Sequence, residues 1–77
     1  MDPQQWRQRQ DDVRHAFVEH LIDRVSADTY PSTTMLDLIE QTMGPREQEA
    51  YVEVLIGKIS QDAYPSIPMM HRLRALL

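Results

Sequence analysis

Residues 16–43 read AFVEHLIDRVSADTYPSTTMLDLIEQTM, and residues 50–77 read AYVEVLIGKISQDAYPSIPMMHRLRALL. The two segments align without a gap at an offset of 34 residues, and eleven of the 28 aligned positions are identical. Self-similarity at a fixed period of this size is typical of a repeated supersecondary unit. The sequence therefore predicts that one structural unit occurs twice in this chain.

Each copy predicts two helices joined by a Tyr-Pro-Ser corner. Apolar residues recur at helical spacing on both sides of the corner. The proline forces the preceding tyrosine, Tyr30 or Tyr64, out of the helical backbone region. The serine that follows, Ser32 or Ser66, suits the N-cap of the next helix. We therefore expect an all-α fold of four helices, built from two helix–corner–helix units.

Start and stop signals set the limits of these helices. Asp2 and Pro3 open the first helix, and Gln5 is placed to complete a capping box. Gly44 and Pro45 end the second helix, with the glycine expected in the left-handed conformation. The predicted helices span about 3–27, 33–42, 45–61 and 67–77.

The domain organisation is simple, because a chain of 77 residues is expected to form a single domain. Residues 1–15 extend the first helix, residues 16–43 form the first copy, and residues 50–77 form the second copy. Before Val13 the pattern is polar apart from Trp6, which stands two helical turns away. We therefore expect Trp6 to enter a neighbouring molecule.

The apolar positions at helical spacing predict the core. In the first helix they are Val13, Ala16, Phe17, Val18, Leu21, Ile22 and Val25, and in the second Met35, Leu36, Leu38, Ile39 and Met43. In the third they are Tyr51, Val52, Leu55, Ile56 and Ile59, and in the fourth Met69, Met70, Leu73, Leu76 and Leu77.

Composition argues against several classes of function. The formal net charge is −4, which disfavours general nucleic-acid binding because that depends on Lys and Arg neutralising phosphates. Cysteine is absent, so neither a disulfide nor a thiolate metal site can form. No apolar run approaches the roughly 20 residues of a membrane span, and the N-terminus lacks the features of a secretory signal. We expect a cytoplasmic protein with no membrane contact.

No set of residues predicts catalysis, so we expect neither an enzyme nor a cofactor. Asp12, His15 and Glu19 share one face of the first helix and are the candidate metal ligands. Polar stripes of this kind are usually solvated surface, and the corner at Asp28 lacks the ligand spacing of a calcium loop. The sequence therefore predicts no metal site, and a metal or small-ligand binder remains only a third interpretation.

The two copies differ in the charge of their second helices. The helix after the first corner carries Asp37 and Glu40, whereas the helix after the second carries His71, Arg72 and Arg74. Opposite charges favour a meeting of these two helices, within one chain or between two copies. A basic last helix is also typical of a DNA recognition helix, which provides the alternative interpretation.

These observations favour a small, non-enzymatic protein–protein interaction or regulatory module. Self-association is expected, because a core this small leaves apolar residues uncovered. The alternative is a small DNA-binding or transcription-associated protein that uses its last helix. The expected contact residues are Trp6, Tyr30, Tyr64, Asp37, Glu40, His71, Arg72 and Arg74.

Overall fold

The computed structural model describes residues 2–29, 31–61 and 67–77. Within these ranges the chain is helical and contains no strand. The helices are α1 (Pro3–Ala27), α2 (Thr33–Thr42), α3 (Pro45–Gln61) and α4 (Ile67–Ala75). The all-α prediction is confirmed, and only α4 ends earlier than expected. The duplication itself stays an interpretation of the sequence.

Side-chain caps begin the first two helices. Asp2 accepts the N–H of Gln5 at 2.8 Å, and the Gln5 side chain accepts the N–H of Asp2 at 3.3 Å, which completes a capping box. Ser32 Oγ accepts the N–H of Met35 at 3.4 Å. These caps satisfy N–H groups that have no partner inside the helix. Local chemistry therefore explains where α1 and α2 begin.

The turn between α2 and α3 departs from its prediction. Gly44 does not have a positive φ, and Met43 ends α2 in an extended conformation. A β-carbon on Gly44 would lie 2.9 Å from Nη2 of Arg14, so the glycine leaves room for a guanidinium group from α1. The prediction of a left-handed backbone at Gly44 was wrong. The absence of a side chain at this position makes room for a neighbouring helix and does not serve the local backbone conformation.

The core lies where the C-terminal part of α1 meets α2 and α3. α1 packs against both of these helices, and α3 packs against α4. None of the described residues of α4 is fully buried, but Met69, Leu73 and Leu76 pack against the edge of the core. Residues 2–10 are exposed throughout. The buried apolar residues are Val18, Leu21, Ile22, Val25, Leu36, Ile39, Tyr51 and Leu55.

Several residues predicted to be buried are exposed. The core prediction was wrong for Val13, Ala16, Phe17, Leu38, Ile56, Met70 and Leu77. The apolar pattern is wider than the face that neighbouring helices cover. Residues that align between the two sequence segments also differ in exposure: Ile22 is 5% exposed and Ile56 is 48% exposed. The two segments that match in sequence therefore do not bury the same positions.

The corner tyrosines lie outside the described residues, as do Asp62, Pro65 and Ser66. The expectation that Tyr30 and Tyr64 are contact residues therefore stays a prediction. In the described part of the chain, no helix combines the length and apolar character needed to cross a membrane.

Candidate interaction surface

An apolar stripe runs along the exposed part of α1. Its members, Trp6, Val13 and Phe17, are seven and four residues apart, so they share one side of the helix. Their exposed fractions are 53%, 62% and 44%. The stripe borders a groove of about 400 Å³, also lined by Arg9, Gln10, Arg14 and Thr42. Neighbouring exposed apolar side chains of this size make this side of α1 the candidate docking surface.

The stripe lies open because the core covers a different side of α1. At 3.6 residues per turn, the stripe is rotated by roughly 90° from the face that contains Val18, Leu21 and Val25. α2 and α3 pack on that second face, where these residues are buried. α1 therefore has two apolar faces, and only one of them is used within the described chain.

A buried carboxylate, that of Glu47, joins α1 to α3. Glu47 is 1% exposed. Its Oε1 accepts the N–H of Gly44 at 3.1 Å, and its Oε2 lies 3.2 Å from Nδ1 of His15. Nε of Arg14 is buried, has no hydrogen-bond partner among the described residues, and lies 3.8 Å from Oε1. Burial raises the pKa of Glu47, but the Gly44 N–H, His15 and Arg14 outweigh burial and hold this pKa below its usual value.

The structure divides the candidate metal ligands between different partners. Nε2 of His15 lies 3.1 Å from Oε1 of Glu19, while Nδ1 faces Glu47. Asp12 instead pairs with Arg46 of α3 at 3.3 Å. Among the described residues, no three His, Asp or Glu side chains form a group suited to a metal ion. His15 acts here as a bridge between two carboxylates.

Asp37, Glu40 and Arg72 come together between α2 and α4. Nη2 of Arg72 lies 2.7 Å from Oδ1 of Asp37, and Nη1 lies 2.9 Å from Oε2 of Glu40. The same Glu40 oxygen accepts the hydroxyl of buried Tyr51. The hydrogen bond to Glu40 raises the pKa of Arg72. The pKa of Tyr51 is raised mainly by burial of the phenol and, to a smaller extent, by its hydrogen bond to Glu40. The guanidinium group therefore stays charged and the phenol stays neutral.

The other cations of α4 are placed differently. Arg74 and His71 are exposed, and neither makes an ion pair within the described ranges. Glu40 thus takes Arg72, rather than Arg74, as its partner. Because Arg72 is held by two carboxylates, it is not free to bind phosphate.

Two residues that sequence reasoning did not single out connect the helices. One is Glu47. It stands three residues after Gly44, and a glutamate at this spacing can accept the N-cap N–H, so the spacing was a signal for this contact in the sequence. The other is Lys58, which donates to the carbonyl oxygens of Ser26 at 2.9 Å and Asp28 at 2.5 Å. No sequence pattern marks Lys58, because its partners are backbone atoms at the end of another helix.

Comparisons with known protein families, curated proteins and solved structures find no match to this chain. Function is therefore inferred from the chain's own residues.

We expect Glu40 and Arg72 to be energetically coupled. Glu40→Gln and Arg72→Gln each break the pair, so the double variant should lose less stability than the two single losses added together. The expected coupling is about 0.5–3 kcal/mol, measured by urea unfolding of all four proteins. Arg74→Gln is the matched control, with an expected change within about 0.5 kcal/mol. Coupling as small as the control's effect would contradict the ion pair.

Proposed function

We propose that this chain is a non-enzymatic protein-interaction module whose contact surface is the stripe of Trp6, Val13 and Phe17 on α1. The exposure of this stripe carries the proposal. Three large apolar side chains lie side by side at a groove, and they add nothing to the core. Interfaces take most of their binding energy from a few such anchors, and tryptophan is prominent among them.

A second copy of the chain is one protein that can cover the stripe, so the proposal includes self-association. The stripe is exposed beside the face of α1 on which α2 and α3 pack, and a neighbouring molecule can therefore approach it without unfolding the core. In a two-fold pair, the same surface serves both copies.

We expect the fluorescence of Trp6 to report this association. Trp6 is the only tryptophan, and it is half exposed when the chain is alone. Its emission should shift to longer wavelengths on roughly a thousandfold dilution, because copies separate and water reaches the indole. Phe17→Ala should remove the concentration dependence while leaving the fold intact. Sedimentation velocity over the same range measures the change in mass.

The matched control is Ile56→Ala, which truncates an apolar residue of similar exposure on α3. This variant should associate as the unaltered protein does. Self-association would be contradicted by a protein that sediments as a monomer with emission constant on dilution.

A further inference from the structure

We propose that the preferred occupant of the α1 groove is an acidic amphipathic helix of another protein. Its apolar residues would contact the stripe, and its carboxylates would bind Arg9 at the groove's edge. This inference rests on the proposed function, and it names the chemistry of the partner.

The face of α1 that carries the stripe is cationic. Arg9 lines the groove, three residues after Trp6 and four before Val13. Arg24 continues the same side of the helix beyond Phe17. The side chains of Arg9 and Arg24 make no ion pair with any described residue. These groups are therefore available to a negatively charged partner.

The carboxylates of α1 lie away from this face. Asp12 is held by Arg46 of α3, and Glu19 faces His15. They therefore neutralise charges on the far side of the helix and leave Arg9 without a partner. At 3.6 residues per turn, the acidic residues of α1 lie roughly 100–140° around the helix from the centre of the stripe. They are Asp11, Asp12, Glu19 and Asp23.

The length of the stripe suits one partner helix. Trp6 and Phe17 are eleven residues apart, which corresponds to about 16 Å along α1. A helix with apolar residues at i, i+4, i+7 and i+11 presents anchors over the same length. Carboxylates beside these anchors would reach Arg9 near one end of the stripe. Opposite charges at the edge of an apolar contact select the partner and its orientation.

A second copy of this chain matches the stripe less well. In an antiparallel two-fold pair centred on Val13, Arg9 would face Phe17 of the second copy, and Trp6 would face His20. No carboxylate reaches Arg9 in that arrangement, so self-association leaves the cation unpaired.

The test uses the full chain and two capped synthetic peptides of about four helical turns. The acidic peptide has leucines at i, i+4, i+7 and i+11 with glutamates beside them. The control peptide has lysine in place of every glutamate, and neither peptide contains an aromatic residue. Emission of Trp6 then reports docking on the stripe. We expect a saturable shift to shorter wavelengths with the acidic peptide and none with the lysine peptide.

Variants of the chain localise the contact. A labelled acidic peptide, followed by fluorescence anisotropy, should bind Arg9→Glu at least about tenfold more weakly, because a like charge then faces the carboxylates. Val13→Asp should abolish binding, and circular dichroism should show that this exposed position leaves the helices intact. Arg74→Glu on α4 is the charge-matched control and should bind as the unaltered chain does. Rising salt should weaken binding to the unaltered chain.

Each contrary result has a defined meaning. Equal binding of both peptides, or indifference to Arg9→Glu, would overturn the acidic partner. A second copy is the occupant if neither peptide binds, Trp6 emission depends on protein concentration, and Phe17→Ala removes that dependence. In that case the proposed function stands without this inference. If neither peptide binds and emission is constant, both proposals fail. Phosphatidylserine vesicles are the last probe. If they shift the Trp6 emission and the acidic peptide does not, the occupant is a lipid surface and the acidic partner helix is overturned.

Discussion

Replacing Ile22 by alanine should unfold much of the protein at room temperature, whereas the same replacement at Ile56 should leave it folded. Ile22 is 5% exposed within the core, and truncating a buried isoleucine costs about 2–5 kcal/mol. The whole stability of a domain this small is roughly 3–5 kcal/mol. Ile56 is 48% exposed, so its truncation should cost less than about 1 kcal/mol. Urea unfolding followed by circular dichroism measures both losses.

This pair of variants is a matched comparison, because the residues occupy equivalent positions in the two aligned segments. Similar losses at both positions would mean that α1 and α3 bury equivalent faces. That result would contradict the packing in which α1 lies at the centre of the core.

Glu47→Ala should be the most damaging substitution of a charged residue. It leaves the Gly44 N–H and the buried side of His15 without their acceptor, and it removes the carboxylate nearest the buried Nε of Arg14. Unsatisfied buried donors cost about 1–3 kcal/mol, and the lost packing adds to that figure. Glu53→Ala, at an exposed position of the same helix, should change stability by less than about 0.5 kcal/mol. Equal melting temperatures for these two variants would contradict a structural role for Glu47.

Glu47 should also make the fold sensitive to acid. Its pKa in the folded protein lies below the ordinary value of 4.5, so the unfolded chain takes up the proton first as pH falls. The stability that Glu47 contributes is therefore fully present above about pH 4.5 and is lost as pH falls through the lower, folded pKa. Glu47→Gln does not titrate, so its unfolding free energy should fall less steeply over this range.

Asp11 contributes to acid sensitivity as well, because its hydrogen bond with Arg46 lowers the pKa of Asp11. This pair is intact in Glu47→Gln, and the difference between the two pH profiles therefore isolates Glu47. Parallel profiles for the variant and the unaltered protein would show that Glu47 does not titrate differently on folding.

The helix limits could be predicted because they depend on neighbouring residues. The Asp2 capping box and the Ser32 cap each use atoms three residues apart, so the sequence contains the whole interaction. The end of α4 was placed two residues too late. The reason for Gly44 was also misjudged, since Arg14 comes from another helix.

Burial could not be predicted as well, because periodicity shows which residues share a side but not which side is covered. Phe17 and Tyr51 align in sequence, yet Phe17 is 44% exposed and Tyr51 is fully buried. The difference comes from the positions of α2 and α4, which no local pattern contains. The stripe on α1 was therefore recognised at Trp6 alone, while its other two members were assigned to the core.

The contact between the charges of α2 and α4 could be predicted only in part. Their opposite signs favoured a meeting of the helices, and Arg72 bonds to both Asp37 and Glu40. Which cation of α4 faces Glu40 depends on the rotation of α4 about its axis, so the sequence did not show that Arg72, rather than Arg74, would be the partner.

The bonds from Lys58 to the end of α1 have a consequence for the order in which the chain can fold. Ser26 and Asp28 are made about thirty residues before the lysine that binds their carbonyl oxygens. During synthesis the first two helices therefore wait for the third before the C-terminus of α1 is secured. A fragment ending at Met43 lacks both Lys58 and the buried Tyr51 and Leu55. We therefore expect that residues 1–43 do not fold on their own and that the smallest piece able to fold includes α3.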